Sequence, residues 1–328
     1  MGNVAKTLIK GLEFYRNSKT DGLWHPMLAG FTINDVSIAG IFDVDAAKVG
    51  KRVNEIITDY KLETSHVVQA GISEDSMNAE VIRNDQLKSI KYDEFVSSLK
   101  KLKPDFLVNL ISSGMEKSSE RYARAALEAG CSFFNATSSM VTTSHMRSAF
   151  ESKGLMILGD DMMSQFGGTA FHRGMIDFMI NRGIKIQKAY QLDVGGNPDT
   201  QNTMAEQIRE KKRKIKTESI SVETPYPFKS TAGTTEYAEQ LGNSRVSYYW
   251  MEATSFMNST VEMDLTLRTN DSANGCNIIL DAIRAAKMSI SKKDLAKSEI
   301  ISAYAFKNPA KKIRIRDSIK AFEESFLS

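Results

Sequence analysis

Short apolar runs that alternate with helical segments are the feature that most constrains the fold of this 328-residue chain. The run DVSIAGIFDVD, apolar through most of residues 36–42, ends in acids, and the same form recurs in KPDFLVNLISSG, CSFFNA and LMILGDD. Continuous apolar runs are typical of strands buried on both faces of a parallel sheet. Strands and helices in this order predict an α/β fold with a doubly wound parallel sheet.

Two helices of this half are marked by apolar spacing and by end signals. Residues 4–16 carry apolar side chains at helical spacing, so Gly2 and Asn3 are expected at the N-terminus of a helix. In EKSSERYARAALEAG, Ser118 or Ser119 is expected to cap a second helix and Gly130 to end it.

The second half of the chain has a different pattern. Three longer strands are expected in IKIQKAYQLDVGG, SRVSYYWMEATSF and STVEMDLTLRTND, and the last of these alternates apolar with polar residues. Such alternation predicts a half-exposed, antiparallel sheet. A basic run, AEQIREKKRKIKTES, follows the first strand, a helix over 272–289 opens with Asp271 or Ser272, and the tail predicts a short amphipathic helix.

Composition excludes several classes of protein. The 43 basic and 40 acidic residues leave a net charge of +3, which gives no argument for binding to nucleic acid or to a membrane surface. Two cysteines, Cys131 and Cys276, are too few for a disulfide framework, so a cytoplasmic location is expected. The four histidines are scattered without ligand spacing, and no metal site is predicted from them.

The opening stretch, MGNVAKTLIKGLEFY, reads as the second half of a dinucleotide-binding turn. Gly2, Asn3 and Val4 would lie at the helix N-terminus that faces a pyrophosphate. Asp43, at the end of the next predicted strand, would supply the acid that binds the ribose. A partial glycine motif is a weak signal, and on pattern alone a surface-turn interpretation of Gly2 and Asp43 fits equally well.

Further segments occur in an order that resembles the myo-inositol-1-phosphate synthases, in their archaeal and actinobacterial branch. They are GNVAKTLIKGLEFYR, GLWHP, FDVDAAKVGK, LGDDMMSQFGGTAFHR, QLDVGGNPD, NDSANGCNIILDAIRAAK and SAYAFKNPA, and they cover essentially the whole chain. In that family an apolar strand and a first glycine precede the turn. Because a parallel sheet without its central strand would expose two edges, we expect the natural start about ten residues upstream.

The resemblance implies the NAD-dependent isomerisation of D-glucose 6-phosphate to 1D-myo-inositol 3-phosphate, for inositol and phospholipid biosynthesis. In the family, NAD takes a hydride from C5, the C6 protons become acidic, the enolate closes on the C1 aldehyde, and the hydride returns. Each step creates or moves negative charge beside a phosphate. Such a site needs fixed cations in a dry pocket.

The resemblance assigns four cations to this site. Lys212 and Lys216 match a lysine pair that follows the family's GGN motif, and their i, i+4 spacing places both on one helical face. Lys307 matches another active-site lysine, and Arg245 would serve as an additional cation. Without the resemblance, the run REKKRKIK fits a solvated helix face.

The resemblance also assigns acids and loop residues. Asp161 matches the family aspartate near the nicotinamide, Asp160 is its neighbour, and Asp271 matches an aspartate that contacts the cofactor. The position of Asp271 would equally suit a helix cap. Cofactor contacts are further expected from residues that follow two strands, although an ordinary turn role fits each of them at least as well: Ser112, Ser113, Asn135 and Thr143.

Departures from the family pattern keep alternatives open. In GNSR, Asn243 and Arg245 replace the family's aspartate and lysine, and Met163 stands where close relatives carry a lysine. Arginine keeps the charge but does not transfer protons. One alternative is a paralogue that binds NAD and a sugar phosphate without full synthase activity, and another is an NAD-dependent dehydrogenase.

The resemblance also predicts the organisation of the chain. Residues 1–160 would form a Rossmann-like, NAD-binding domain, residues 161–290 an α+β substrate and tetramerisation domain, and residues 291–328 a segment that returns to the first domain. The family forms homotetramers through sheets of the second domain, so a homotetramer is expected. Some members use a metal, so a weakly held divalent or monovalent cation near the substrate phosphate is compatible with the resemblance.

Overall fold

Two kinds of sheet carry the fold in the computed structural model, which describes residues 1–17, 20–75 and 86–327. The helices are α1 (Asn3–Phe14), α2 (Val53–Ile56), α3 (Tyr92–Leu102), α4 (Glu116–Ala129), α5 (Ser144–Glu151), α6 (Gly168–Asn181), α7 (Pro198–Thr203), α8 (Glu206–Ser221), α9 (Asp271–Ser291), α10 (Ser298–Ala305) and α11 (Ile315–Phe326). The strands are β1 (Met27–Leu28), β2 (Phe31–Thr32), β3 (Ile41–Asp43), β4 (Val68–Ala70), β5 (Phe106–Asn109), β6 (Ser132–Asn135), β7 (Ile157–Leu158), β8 (Lys185–Gly195), β9 (Lys229–Tyr237), β10 (Ser244–Thr254) and β11 (Thr260–Asn270).

The first half of the chain forms parallel sheets. Strands β5, β6 and β7 pair in parallel in that order, and β3 pairs in parallel with β4. Helices α4 and α5 connect successive strands of the larger sheet. The predicted α/β class with parallel sheets is therefore confirmed, and the carboxyl ends of β5, β6 and β7 lie at one edge.

Strand β3 is shorter than the sequence predicts, since residues 36–40 form neither helix nor strand and a helical turn comes just before them. The Asp35 carboxylate accepts hydrogen bonds from the Thr32 backbone N–H (2.7 Å) and hydroxyl (2.8 Å). These bonds stabilise a helical turn over Ile33–Asp35, and the strand begins only at Ile41.

Two predicted helix caps are wrong. Helix α4 begins at Glu116, so Ser118 and Ser119 lie inside its first turn, where their hydroxyls accept hydrogen bonds from the Glu74 backbone and from the Asn109 side chain. At α9 the cap is Asn270, whose side chain accepts a hydrogen bond from the Ala273 N–H (3.2 Å). Asp271 is consequently the first helical residue, and its carboxylate is available to other partners.

The second half forms a four-stranded sheet in the order β11-β10-β8-β9. Strand β10 pairs antiparallel with β11 and β8, and β8 pairs in parallel with β9, a strand that the sequence analysis did not predict. Burial alternates along β11 as expected for a half-exposed strand. The inner face packs on α6 and α8 through Ile176, Met179, Ile220 and Met251.

The outer face of this sheet carries aromatic side chains. The rings of Tyr190 and Trp250 stack with centroids 5.3 Å apart, and Tyr248 lies beside Tyr190. Trp250 donates a hydrogen bond to Glu262 (2.7 Å) on the neighbouring strand.

The C-terminal helices pack against the parallel sheet. Tyr304 of α10 and Phe322 of α11 stack with ring centroids 3.8 Å apart, inside the core that also contains Phe134 and Ile278. Helix α1 contributes Val4 and Leu8 to the edge of the same core. None of the helices in the described ranges is long and apolar enough to cross a membrane.

Candidate active site

The predicted lysine pair on α8 points into the protein rather than into solvent. Lys212 and Lys216 are 7% and 3% exposed, whereas Lys214 between them has a side chain that is 79% exposed. Residues four apart share one helical face, and here that face packs against the sheet. Burial of two ammonium groups is costly unless each has a charged partner, so both should have one.

Lys216 is paired with Asp193, a fully buried acid of β8. Its ammonium donates to the Asp193 carboxylate over 2.5 Å and to the Thr234 hydroxyl over 3.4 Å. Burial lowers the pKa of Lys216, and the charges of Arg245 and Lys307 lower it further against the opposing effect of Asp193. Two of the other predicted cations, Arg245 and Lys307, therefore lie within electrostatic reach of Lys216.

Arg245 bridges two carboxylates. Its Nε donates to Asp271 over 2.6 Å, and its guanidinium lies 3.7 Å from Asp193. Burial opposes the charged form, but Asp271, Asp193 and Asp199 outweigh it and raise the pKa of Arg245 above its ordinary value. This side chain is a permanent cation and does not supply protons.

Lys212 joins this group to the parallel sheet. Its ammonium donates to Asp199 (2.8 Å), to Thr203 (3.2 Å) and to the Ser113 hydroxyl (3.1 Å) in the loop after β5. The Ser113 backbone N–H in turn donates to Asp199 over 2.9 Å. A predicted cofactor residue and a predicted catalytic residue are thus in direct contact.

Lys307 contacts Asp161 at the end of β7. The ammonium donates to Asp161 Oδ1 over 2.6 Å, and within the described residues this is its hydrogen-bonded partner. The other oxygen, Asp161 Oδ2, is buried and has no hydrogen-bond partner among those residues. An ammonium has three donors, so both groups keep unused hydrogen-bonding capacity.

Asp160 and Asn135 form a buried network at the same edge of the sheet. Asp160 accepts hydrogen bonds from the Asn135 amide (2.7 Å) and the Thr142 hydroxyl (2.9 Å). Burial raises the pKa of Asp160 to about 6 although these donors act to lower it. Asn135 also accepts from Asn109 (3.0 Å), so the ends of β5, β6 and β7 are connected.

The beginning of α1 lies near this edge. Val4 packs at the rim of the core and its carbonyl accepts a hydrogen bond from the Cys276 thiol of α9. Gly275 is so close to Met162 that a Cβ there would lie 2.8 Å from the Met162 methyl. The first turns of α1 and α9 and the turn at residues 160–162 are therefore neighbours.

Two predicted cofactor residues make other contacts. Asp43 accepts hydrogen bonds from the backbone of Val44 and Asp45, and it is ion-paired with the Met1 amino group and with Lys48 (3.6 Å). Thr143 caps α5 by accepting from the Met146 N–H. In the described residues, no hydrogen bond or ion pair joins either side chain to the cations. Ser112 lies in the loop after β5 beside Ser113.

Sequence reasoning assigned no role to Asp193 and Asp199, which hold the two lysines of α8. The two acids lie on either side of the GGN motif in QLDVGGNPD, and this placement is the sequence feature from which their role could have been predicted. Gly168 was missed as well. It starts α6 so close to the cluster that a Cβ there would lie 2.4 Å from Gln191 Nε2 and 3.1 Å from Asp193 Oδ1.

In the described part of the chain, no group of three or more His, Cys, Asp or Glu side chains is arranged to hold a metal ion. His25 is instead bonded to Asp281, and His172 to Gln191.

The fold and this site define an α/β protein in which lysines of α8 and of the segment after α10 contact the loops at the carboxyl edge of a three-stranded parallel sheet. The sequence model of the family described as myo-inositol-1-phosphate synthase matches residues 167–272, which include Lys212, Lys216, Arg245 and Asp271. The chain is thus related to the myo-inositol-1-phosphate synthases. The predicted similarity to this family of enzymes is confirmed.

Curated relatives carry the likeness over the whole chain. The inositol-3-phosphate synthase of Mycolicibacterium smegmatis is 29% identical over 348 residues, which cover 100% of this chain and 96% of the relative. The enzyme of the same name from Corynebacterium glutamicum is 29% identical over 98% of this chain and 96% of its own length.

Solved structures share the fold. A myo-inositol-1-phosphate synthase-related protein from Thermotoga maritima superposes with a TM-score of 0.84 at 22% identity, covering 98% of this chain and 95% of that one. The inositol-3-phosphate synthase of Caenorhabditis elegans superposes with a TM-score of 0.72 at 13% identity, over 88% of this chain and 70% of that one.

Proposed function

We propose that this chain isomerises D-glucose 6-phosphate to 1D-myo-inositol 3-phosphate with NAD as its cofactor. The observation that carries the proposal is that Arg245 and Lys307, both partly buried, act on the buried Lys216 near the carboxyl end of the parallel sheet. Three cations that are buried or partly buried together favour a ligand that carries and develops negative charge. Relatives named inositol-3-phosphate synthase support this choice of reaction.

The residues at the sheet edge fit NAD. Gly2 precedes helix α1 as its N-cap and supplies no side-chain cap, so the first N–H groups of the helix are available to a pyrophosphate. Asp161 Oδ2 is a buried acceptor without a partner among the described residues. When bound, NAD would supply reversible uptake of a hydride. The residues that would hold it are Gly2, Asn3, Val4, Asp43, Ser112, Ser113, Thr143, Asp160, Asp161 and Asp271.

The cations would hold and stabilise the substrate. Lys212, which contacts the loop after β5, and Arg245 of β10 would hold the phosphate. Lys216 and Lys307 would donate hydrogen bonds to the oxygen of the C5 ketone and later to the enolate. Because these donors are fixed by ion pairs before the reaction, little reorganisation is needed when the charge appears.

The proton on C6 needs a base. Lys216 is the lysine of the site whose pKa burial lowers, so we assign this proton to its Nζ, which acts as a base in the fraction of molecules where Lys216 has lost its own proton. The ammonium formed would then protonate the oxygen of the C1 aldehyde as the C6–C1 bond closes. The substrate's own phosphate is the alternative base, and kcat of Lys216→Arg, which keeps the positive charge but cannot take up a proton, separates the two.

We also propose the domain limits and assembly that the family suggests. Residues 1–160 would hold NAD, residues 161–290 the substrate, and residues 291–328 would return to the first domain. The aromatic face formed by Tyr190, Tyr248 and Trp250 supports a homotetramer, because stacked aromatics on a half-exposed sheet are typical of a surface that another subunit covers.

A second candidate function rests on Arg245 and Met163. Arg245 cannot transfer a proton, and Met163, where close relatives have a lysine, is buried and contacts Arg173 through its sulfur. A chain that lacks two family lysines could bind NAD and a sugar phosphate without completing the cyclisation.

One assay separates these functions. The protein is incubated with NAD and glucose 6-phosphate, and phosphorus NMR follows the appearance of a new phosphate ester while absorbance follows reduced cofactor. A synthase gives the new ester without net NADH, and a dehydrogenase accumulates NADH. Binding detected by calorimetry without either product would establish the paralogue and contradict the proposal.

A further inference from the structure

A chain of hydrogen bonds leads from the second turn of α6 to Lys216. His172 Nδ1 lies 3.2 Å from Gln191 Oε1, and Gln191 Nε2 lies 2.8 Å from Asp193 Oδ1. The other oxygen of Asp193 is the one that accepts from Lys216. All four side chains are buried, and His172 and Gln191 are both 0% exposed.

The direction of this chain is fixed by Asp193. Lys216 and Arg245 hold the pKa of Asp193 well below its ordinary value against the effect of burial, so the carboxylate is ionised and only accepts hydrogen bonds. Gln191 must therefore turn its NH₂ group to Asp193 and its oxygen to His172. That oxygen requires a donor, so His172 carries its proton on Nδ1.

A buried histidine at position 172 destabilises the folded protein unless its Nδ1–H donor is needed. Burial lowers its pKa to about 4, so the ring is neutral, and its Nε2 has no hydrogen-bond partner among the described residues. A buried, unpaired ring nitrogen is destabilising compared with an apolar side chain of the same size. The neighbouring Gly168 keeps room for the Gln191 amide, since a Cβ there would lie 2.4 Å from Nε2.

We propose that His172 and Gln191 are positioning residues. They hold the Asp193 carboxylate in the orientation in which it binds Lys216 and controls the protonation of that lysine. The inference deepens the proposed function and rests on it for the role of Lys216. The contacts themselves, and the titration of Lys216, do not depend on which reaction the site performs.

The charge balance around Lys216 gives the expected effect. Lys216 faces Asp193, Arg245 and Lys307, with the Thr234 hydroxyl as a neutral neighbour. Asp193 shares its negative charge among Lys216, Gln191 and the Ser247 hydroxyl, which donates over 2.6 Å. If the oriented amide is lost, more of that charge acts on Lys216, and its pKa should rise by about one unit, the equivalent of one charge-assisted hydrogen bond.

The test compares three substitutions at one position. The amide nitrogen of His172→Asn can occupy the place of Nδ1 and keep the donor, whereas His172→Gln puts its amide near Nε2, and His172→Leu removes the donor without adding a polar group. Lysines labelled with ¹³C at Cε are titrated by NMR, and Lys216→Arg assigns the Lys216 signal. We expect the Lys216 midpoint to rise by about one pH unit in the Leu and Gln variants and to stay near wild type in the Asn variant.

Activity gives a second readout. The limb of the kcat profile that reports Lys216 should move to higher pH in the Leu and Gln variants, whether Lys216 acts as a base or as a cation, and Asn should restore it. Unchanged midpoints in all three variants would overturn the inference, even if the variants are less stable. If His172→Leu does not fold, Gln191→Met removes the same amide and is expected to give the same shift.

Failure of the proposed function can be distinguished from failure of this inference. A wild-type protein that does not convert glucose 6-phosphate removes the proposed reaction, but the NMR titration still shows whether His172 tunes Lys216.

Discussion

The Lys307 ammonium donates a 2.6 Å hydrogen bond to the Asp161 carboxylate, a residue 146 positions earlier in the chain. Two backbone bonds reinforce this contact: the Lys307 N–H donates to the Asp161 carbonyl over 2.8 Å, and the Met163 N–H donates to the Ala305 carbonyl over 2.8 Å. The segment after α10 is therefore joined to the end of β7. A cation from the C-terminal part of the chain becomes part of a site built by the first sheet.

Removal of Lys212 should impair the reaction more than the binding of NAD. Lys212→Ala deletes a buried cation next to the loop after β5, and we expect kcat to fall by about 100-fold or more with little change in the Kd for NAD. Lys214→Ala, on the same helix but with its side chain 79% exposed, is the matched control and should keep wild-type turnover. Equal kcat values for the two variants would remove Lys212 from the mechanism.

Arg245→Lys distinguishes a fixed charge from a proton carrier. Because Arg245 is held between Asp271 and Asp193, we expect it to act only as a cation. Lysine at this position should then change kcat by less than about tenfold, while Arg245→Met should lower it by about 100-fold or more. A large rise in rate for Arg245→Lys, measured by phosphorus NMR, would contradict this expectation. It would show that a lysine at this position shuttles a proton and that this protein, with arginine there, is a weakened enzyme.

The parts of the site that could be predicted from sequence are those set by local spacing. Lys212 and Lys216 share a face because they are four residues apart on a helix. Their partners were not predictable in this way, because Asp193 meets Lys216 only after β8 has paired with β9 and α8 has packed against the sheet. The alignment of β8 with the other strands is a long-range property that no local pattern encodes.

The contrast between local sequence patterns and contacts formed elsewhere in the fold also explains the wrong predictions at the ends of helices and strands. The apolar content of residues 36–42 predicted a longer strand, but the Thr32–Asp35 hydrogen bonds favour a helical turn just before it. The serines of α4 looked like caps because serine is a common cap residue. In the structure they satisfy groups from other elements, Glu74 and Asn109, which lie far away in sequence.

A buried ion pair between Arg173 and Glu223 should be essential for stability. Arg173 Nε donates to Glu223 over 2.6 Å, and both side chains are almost fully buried. Glu223→Ala would leave the guanidinium without its partner, and we expect a loss of about 3–5 kcal/mol in the free energy of unfolding, measured with urea. Glu120→Ala breaks an exposed pair with Arg124 and should cost about 0.5 kcal/mol. Similar costs for the two variants would contradict this interpretation.

The aromatic outer face of the second sheet should control assembly. Trp250→Lys places a charge on that face, where Glu262 can still pair with it inside one subunit. We expect sedimentation velocity to show four copies in the wild type and a smaller particle in the variant. Phe178→Lys changes another exposed aromatic, on α6, and should leave the assembly unchanged. An intact tetramer in Trp250→Lys would exclude this face as the interface.

Burial of neutral His172 should make the protein less stable in mild acid. An unfolded histidine binds a proton as the pH falls below about 6.5, whereas the pKa of His172 in the folded protein is lowered to about 4. Between these values the unfolded chain binds more protons than the folded protein. Lowering the pH therefore favours the unfolded chain, and the free energy of unfolding decreases. Between pH 7 and pH 5 this effect amounts to about 2 kcal/mol. His172→Asn keeps the donor to Gln191 but cannot titrate, so the difference between its unfolding free energies at pH 7 and pH 5, measured with urea at one protein concentration, should be smaller than that of the wild type by this amount. An equal difference in the two proteins would mean that His172 is protonated, or exposed, in the folded state.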